Sequence, residues 1–576
     1  MKQLKGIGAS SGIGIAKVFI LETPEFKINN NKINDVEKEI NLVRKVLNAT
    51  EQNLSEVRNI ALKKIGKQKA EIFDAHIQIV KDPELVNQVI ELISKNHYNG
   101  AYALNEVFKK FHEMFLAMDN NYFQERASDV KDVWNKTLSF FLNIPFPDLL
   151  SINSEVIIVA HDLTPSQTAM LDKKYVKGFV TDVGGKTSHA AIMARTMEIP
   201  AVLGLNNITS TIKENDVVAI DGEQGVIEIN PNDTTSWNQK IKDYQMAQND
   251  LKKYTFKKAV TIDGHHVEIE ANIGKPEDAD ILSEYGAEGI GLFRSEFLYM
   301  EATDWPDENQ QFESYKYVLS KYPDQRVIVR TLDIGGDKKL PYFTFDHEDN
   351  PFLGYRAIRF CLDRKDIFKT QLKALLKASV FGKLGIMFPM ICSVVELLDA
   401  KKLLDDCKKE LDKENISYSS DILIGMMIEI PSSAILSEKF AKYVDFFSIG
   451  TNDLIQYSFA IDRMSQKISY LYEPNNPALL RMIKLTIEGA KVHNVKVAMC
   501  GEMANDCFSV PILLGLANKG LDALSMTCSA IPKIKKLISS LNHQECIKLA
   551  SEAIEKETTK EVNDLVTEFL KKKNLF

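Results

Sequence analysis

"LIGMMIEIP", residues 423–431, and "FFSIGTND", residues 446–453, are the stretches on which the fold turns. Each is a short apolar run that stops abruptly at polar groups, Glu429 in the first and Asn452 with Asp453 in the second. A run of that length, apolar throughout and bounded by turn residues, is the signature of a strand buried on both faces. Six further runs of the same kind lie around them: "VEIEANIG" (267–274), "GIGLFRSE" (289–296), "RVIVRTLDIGG" (326–336), "LGIMFPMI" (384–391), "KVAMCGEM" (496–503) and "ALSMT" (523–527). Helical stretches separate them. Eight strand and helix units over about 310 residues are what a (β/α)8 barrel requires, and that fold carries its chemistry at the C-terminal ends of its strands. Arg294, Arg330, Glu429, Asn452 with Asp453, and Cys500 fall at those ends.

Upstream the texture changes. Between about 144 and 230, short β-rich runs ("SEVIIVA", "KGFVTDV", "PAVLGL", "DVVAIDG") alternate with polar turns and a helical "TPSQTAMLD" (164–172), which reads as a compact mixed α/β domain. The N-terminal "GIAKVFIL" is also strand-like and is expected to pair with it. Residues 30–142 are different: Val36, Ile40, Val43, Leu47, Leu54 and Val57 recur at spacings of three and four among charged neighbours, the pattern of an amphipathic helix. That stretch is therefore expected to be a helical bundle inserted into the α/β domain. Residues 233–256 are polar and helix-compatible, and make a connecting helix.

With 576 residues the chain exceeds one hydrophobic core. Its net charge of -8 supplies no global basic field for nucleic acid or an anionic membrane surface. No apolar stretch approaches the ~18 residues of a spanning helix, and the Gly/Ser-rich start lacks the apolar core of a secretion signal. A cytoplasmic protein without membrane insertion is expected. The seven cysteines are odd in number and form no CxxC pair, which argues for reduced thiols over a disulfide framework or zinc site.

Two glycine-rich motifs fail on context. "GASSGIG" (8–14) looks like a dinucleotide-binding turn, but only seven residues precede it and a strand-like run follows where a helix is needed. The GKT of "VGGKTSHAAIMAR" (183–195) lacks the P-loop glycine five residues before Gly185, where Val180 stands. His189 remains. Gly184 and Gly185 permit close backbone approach, Thr187 and Ser188 offer hydrogen bonds, and "AAIMAR" begins a helix whose N-terminal end favours an anion. A histidine there is suited to carrying a phosphoryl group.

In the barrel half, Arg294, Arg330, Arg356 and Arg463, with Lys338, match the geometry of phosphate and carboxylate. Glu429 and Asp453 have two readings: with phosphate and water they suit Mg2+, which takes few protein ligands, or they neutralise the arginines. Cys500 is either an inert buried thiol or a proton-transfer group.

Taken together, "GGKTSHAAIMAR", "LDIGGDK", "NPFLGYRAIR", "GMMIEIP", "DFFSIGTNDLIQYSFAIDR" and "CGEMAND" resemble the motifs of the phosphoenolpyruvate-utilising enzymes. Within that family the whole chain resembles the Enzyme I branch of the bacterial sugar phosphotransferase system, including its opening "GIGASSGIGIAKVFIL". The resemblance implies a phosphohistidine α/β domain (1–24 and 143–230), an inserted helical domain that docks the phosphocarrier HPr (25–142), a linker helix (231–260) and a phosphoenolpyruvate-binding barrel that also dimerises the chain (261–576). It further implies that His189 is the phosphorylated nucleophile. Arg294, Arg330, Lys338, Arg356, Asn452 and Arg463 would bind phosphoenolpyruvate, Glu429 and Asp453 would ligate Mg2+, and Cys500 would protonate the departing enolate. Lys186 stands where arginine is common, which touches only a secondary phosphate contact. Two other functions compete with phosphoryl transfer to HPr: a nucleotide-dependent, dikinase-like reaction, and non-catalytic sensing of phosphoenolpyruvate.

Overall fold

The computed structural model describes residues 2–575 except 23, 25, 66, 118–120, 146, 148, 150, 151, 165, 166, 169, 186, 187, 301, 337, 339 and 464, and, within helices and strands, except the side chains of 2, 63–65, 67–69, 71, 121–125, 189, 192, 196 and 466. Lys186 and Thr187 therefore lie outside the described residues, as does the side chain of His189. The expected helix over 164–172 includes three undescribed positions. The chain divides into two compact units, Met1–Gln248 and Asn249–Phe576.

The first unit is built on a mixed sheet of eight strands: β1 (Lys2–Lys5), β2 (Ile7–Ser10), β3 (Ile13–Leu21), β4 (Val156–Ala160), β5 (Val176–Thr181), β6 (Ala201–Leu203), β7 (Val217–Asp221) and β8 (Val226–Ile229). Their order is β1-β8-β7-β3-β4-β5-β6-β2. The central four, β3 to β6, run parallel, with Lys17 opposite Val156 and Leu21 opposite Ala160. All five residues of β4 are buried, as a strand covered on both faces should be. Between β3 and β4 the described residues form five α-helices, Val36–Ile65, Lys67–Lys81, Pro83–Asn96, Gly100–Ala117 and Asn121–Leu142. Their apolar stripes close around a core that includes Val43, Leu85, Val89, Leu104 and Val133.

The helix Thr234–Lys252 leads into the second unit. There a short β9 (Ala259–Val260) pairs antiparallel with β10 (His266–Ile273). Next come β11 (Ile290–Arg294), β12 (Arg326–Arg330), β13 (Lys383–Phe388), β14 (Leu423–Ile428), β15 (Phe446–Ile449), β16 (Lys496–Met499) and β17 (Ala523–Met526). Each pairs in parallel with the next, and β10 pairs with both β11 and β17, so eight strands close into the expected barrel. Its interior is filled by Leu292, Ile328, Met387, Met427, Phe446 and Cys500. Gly425 makes room for that filling: a Cβ there would stand 2.4 Å from the Phe446 ring. A larger layer of apolar side chains joins the barrel to its surrounding helices. No described helix is long and apolar enough to cross a membrane.

Candidate active site

At the C-terminal mouth of the barrel lies a cavity of about 580 Å3. Strand ends supply its walls because, past the last ladder bond, side chains of neighbouring parallel strands converge on one rim. Arg294 ends β11 and Arg330 ends β12, with Arg294 and Arg330 in register. Glu429 follows β14, Asn452 and Asp453 follow β15, and Cys500 follows β16. Lys338 and Arg463 also line the cavity. Arg356 does not; it lies behind the wall, 1% exposed, with Nη1 on the Tyr457 hydroxyl at 3.1 Å and 3.6 Å from Asp453. His189 belongs to the first unit, where it opens the helix His189–Met197, capped by the Ser188 side chain.

Two acids not singled out from sequence organise the cations. Asp333 is 2% exposed and takes Arg356 Nη2 at 3.0 Å, Arg330 Nη1 at 3.0 Å and Lys338 Nζ at 2.6 Å. Glu296 is bound by Arg330 Nη2 and by Lys338 Nζ, the latter at 3.0 Å. Burial alone would push both acids towards protonation, but the neighbouring cations outweigh it, holding Asp333 well below the usual carboxylate range and lowering Glu296. Both acids stood within the motifs "LDIGGDK" and "GIGLFRSE", the only sequence signal for them. Among the described residues Arg294 has no ion-pair partner; its side chain is exposed in the mouth.

The second pair of acids is arranged differently. Glu429 accepts the Met390 N–H at 2.6 Å, and burial first, then the charges of Asp453 and Asp333, raise its pKa to about 8. Asp453 Oδ1 is buried and accepts no hydrogen bond. Asn452 is oriented by the Tyr472 hydroxyl and the Glu502 N–H, both donating to its Oδ1 at 3.2 Å. Cys500 is 5% exposed; burial raises its pKa, so the thiol keeps its proton at neutral pH.

Asp453 meets the Arg356 and Arg463 guanidinium groups only at 3.6 and 3.8 Å, and an oxygen without a hydrogen bond beside a second, mutually repelled carboxylate is a site that a cation would satisfy. No group of three or more His, Cys, Asp or Glu side chains in ligating arrangement occurs among the described residues. Two carboxylates without further protein ligands fit an ion that completes its shell with water and substrate oxygens, as Mg2+ does, and do not fit a closed zinc site.

Fold and cavity thus define a phosphoenolpyruvate-utilising class of enzyme, and comparison with known proteins agrees. Residues 248–543 match the family "PEP-utilising enzyme, PEP-binding domain", residues 5–126 its "N-terminal" family and residues 152–225 its "mobile domain" family. The phosphoenolpyruvate-protein phosphotransferase of Mycoplasma capricolum is 52% identical over 99% of both chains. That of Mycoplasma genitalium is 50% identical over the full length of both, and that of Bacillus subtilis 48% identical over 99% of this chain and all of the relative. A solution structure of Enzyme I is 41% identical, covering 42% of this chain and 99% of its own, at a TM-score of 0.39. The chain belongs to the phosphoenolpyruvate-protein phosphotransferase family.

Proposed function

We propose that this chain transfers the phosphoryl group of phosphoenolpyruvate to His189 and from there to the histidine of HPr, the first step of a sugar phosphotransferase system. The observation that carries the reading is the barrel mouth, where Arg294, Arg330, Lys338 and Arg463 face the same cavity as the acids Glu429 and Asp453 and the protonated thiol of Cys500. Phosphoryl transfer is chiefly positioning and charge neutralisation, and this cavity supplies both. Arg294, Arg330, Lys338, Asn452 and Arg463 hold the substrate's phosphate and carboxylate, while Arg356 adds its charge from behind Asp453.

Neutral His189 attacks phosphorus, the bond from phosphorus to the enol oxygen breaks, and its electrons leave on the enolate of pyruvate. Cys500 gives its thiol proton to the methylene carbon of that enolate and is reprotonated from water. Glu429 and Asp453 would hold Mg2+, whose chemistry is to neutralise charge on the phosphate and on the enolate oxygen. The helical segment between β3 and β4 docks HPr, and the helix Thr234–Lys252 acts as the swivel that lets His189 serve both partners.

The barrel also pairs two chains. Val395, Ile435 and Leu436 expose apolar side chains on helices Val394–Lys413 and Pro431–Ile435 and the turn that follows, with Leu485 and Val492 at the neighbouring helix Pro477–Lys491. Exposed apolar side chains clustered in this way mark an interaction surface. A chain with free cysteines and a soluble carrier as partner works in the cytoplasm. The test is to incubate the protein and His189→Ala with phosphoenolpyruvate and Mg2+, following pyruvate and acid-labile phosphate. Stoichiometric label on the wild type alone, passed on when HPr is added, is the expected result; no label despite bound phosphoenolpyruvate refutes the proposal.

A further inference from the structure

Cys500 differs from the other groups of the barrel mouth in how it is held. Arg330, Glu429 and Asn452 are each oriented by bonds to the side chain itself. The Cys500 thiol has no comparable grip: its Sγ stands 3.8 Å from the Ile449 carbonyl, and the neighbouring Ser448 hydroxyl is buried without a hydrogen-bond partner. A single torsion places a cysteine sulfur, so the direction of the thiol is inherited from the peptide that carries it.

That peptide is held from both sides. Its N–H donates to the Ile449 carbonyl at 3.1 Å, just past the last paired residues of β15 and β16. Its carbonyl lies past Met499 and Leu524, the last paired residues of β16 and β17, and there Asn272 takes over, donating from Nδ2 at 3.0 Å. Asn272 belongs to β10, the second strand over in the order β16-β17-β10, and so reaches across β17. A carbonyl can only accept, so the amide nitrogen faces Cys500 and the amide oxygen is left for another donor. That oxygen takes the hydroxyl of Ser525, on β17, at 2.6 Å. Ser525 is 1% exposed, and β11 makes room for it with Gly291, where a Cβ would stand 2.5 Å from its Oγ. On the far side of Cys500 the next residue, Gly501, lies against Thr451 too closely for any Cβ.

We propose that Asn272, anchored by Ser525, is the positioning residue for Cys500: it holds the Cys500 peptide so that the thiol points along the line on which its proton leaves. Cys500 and Gly501 line the cavity, and Asn272 acts on them from behind that lining rather than on the substrate. The inference rests on the reading of Cys500 as proton donor, in which the S–H bond breaks, a C–H bond forms at the methylene carbon of the enolate, and the thiolate regains a proton from water. Such a transfer needs a short, aligned approach, and a misplacement of about 1 Å can cost roughly 10²-fold. Without Asn272 the Cys500 carbonyl loses its partner, and the peptide turns towards another donor and carries the thiol off line.

The test uses the full chain with Asn272→Leu, which keeps the size of the side chain and removes both bonds, and Ser525→Ala, which frees one end of the amide. Asn272→Leu should slow pyruvate formation at saturating phosphoenolpyruvate by about 10- to 100-fold and move KM by less than about twofold. Transfer from the phosphorylated chain to HPr should keep the wild-type rate, and Ser525→Ala should show a smaller loss in the same direction. The deciding comparison is with Cys500→Ala: the double variant with Asn272→Leu should be no slower than Cys500→Ala alone, because a donor that is gone cannot be misplaced. Phosphoenolpyruvate stereospecifically tritiated at its methylene carbon, turned over in deuterium oxide, should give a chiral methyl group with the wild type. Asn272→Leu should give a partly racemic one, since the enolate then takes its deuteron from water on either face. A wild-type rate in Asn272→Leu, or losses that multiply in the double variant, overturns the proposal and leaves the reading of Cys500 standing; Cys500→Ala at the wild-type rate overturns both. Should the chain release no pyruvate, the hold on Cys500 is read from its alkylation by iodoacetamide, followed by mass spectrometry. Asn272→Leu should change that rate by more than about threefold, and an unchanged rate overturns the proposal.

Discussion

Asp333 Oδ1 and Arg356 Nη2 meet at 3.0 Å with both side chains almost wholly out of solvent, 2% and 1% exposed. Asp333 also holds Arg330 and Lys338, so one carboxylate fixes three cations. Replacing it by alanine leaves those charges buried without their partner, and breaking a buried pair on one side costs about 3–5 kcal/mol. Asp333→Ala should therefore lower the midpoint of urea unfolding of the barrel and weaken phosphoenolpyruvate binding together. Unchanged unfolding would mean the arginines find other partners.

Cys500 can be separated from the phosphoryl path. General acid groups contribute roughly 10²–10⁴-fold, so Cys500→Ala should slow pyruvate formation by a factor in that range. Transfer from a phosphorylated chain to HPr needs no carbon protonation and should run at the wild-type rate. Equal loss in both half-reactions would assign Cys500 to packing, where it fills the barrel beside Leu292 and Met427.

Metal removal follows from the two acids. Chelation should stop pyruvate release, and excess Mg2+ should restore it. Asp453→Asn, which keeps the shape but removes a charge, should require a higher Mg2+ concentration for half-maximal rate. Activity that survives exhaustive chelation would leave Glu429 and Asp453 with only the arginines to serve.

A pH effect on stability arises far from the mouth. The rings of His265 and His543 stack at 3.8 Å with 4° between their planes, and His265 Nε2 is buried without a partner. Burial, then the neighbouring His543, lowers the pKa of His265, while Asp263 and Asp522 oppose the shift less strongly. A histidine whose folded pKa is depressed takes up its proton more readily unfolded, so its contribution is complete above the ordinary histidine pKa of about 6.5 and is lost as pH falls. Urea unfolding between pH 5 and 8 should show that loss on the acid side, and His265→Gln should flatten it.

The apolar face on the barrel helices predicts association. Ile435→Glu places a charge in the middle of it and should shift sedimentation from dimer to monomer while leaving the unfolding midpoint of the isolated barrel core unmoved. Sedimentation identical to the wild type would place the partner surface elsewhere.

The barrel was legible because burial on both faces of a parallel strand writes an uninterrupted apolar run, and the fold requires eight of them. The cations were legible because each ends such a run or sits in a glycine-containing motif beside one. Their counter-charges were not: an acid in "LDIGGDK" reads the same whether it faces water or three cations, and only the closed barrel brings Asp333 to Arg356 across the intervening loop. The His265 and His543 stack was out of reach for the same reason, since its members lie almost the whole barrel apart in sequence.

The parallel pairing of β3 with β4 has a consequence for anyone trimming this chain. Because both strands run the same way, the chain leaves the sheet at the far end of β3 and must re-enter it at the opposite end, where β4 begins, so the helices described between Leu21 and Val156 are the return path itself. Joining Leu21 directly to Val156 would ask a peptide bond to span the length of a strand, about 17 Å for five residues. A minimal α/β domain stripped of these helices will need a new connector of about a dozen residues to keep the strand order. The helical insertion could thus be exchanged for another helical unit, provided its ends lie one strand length apart.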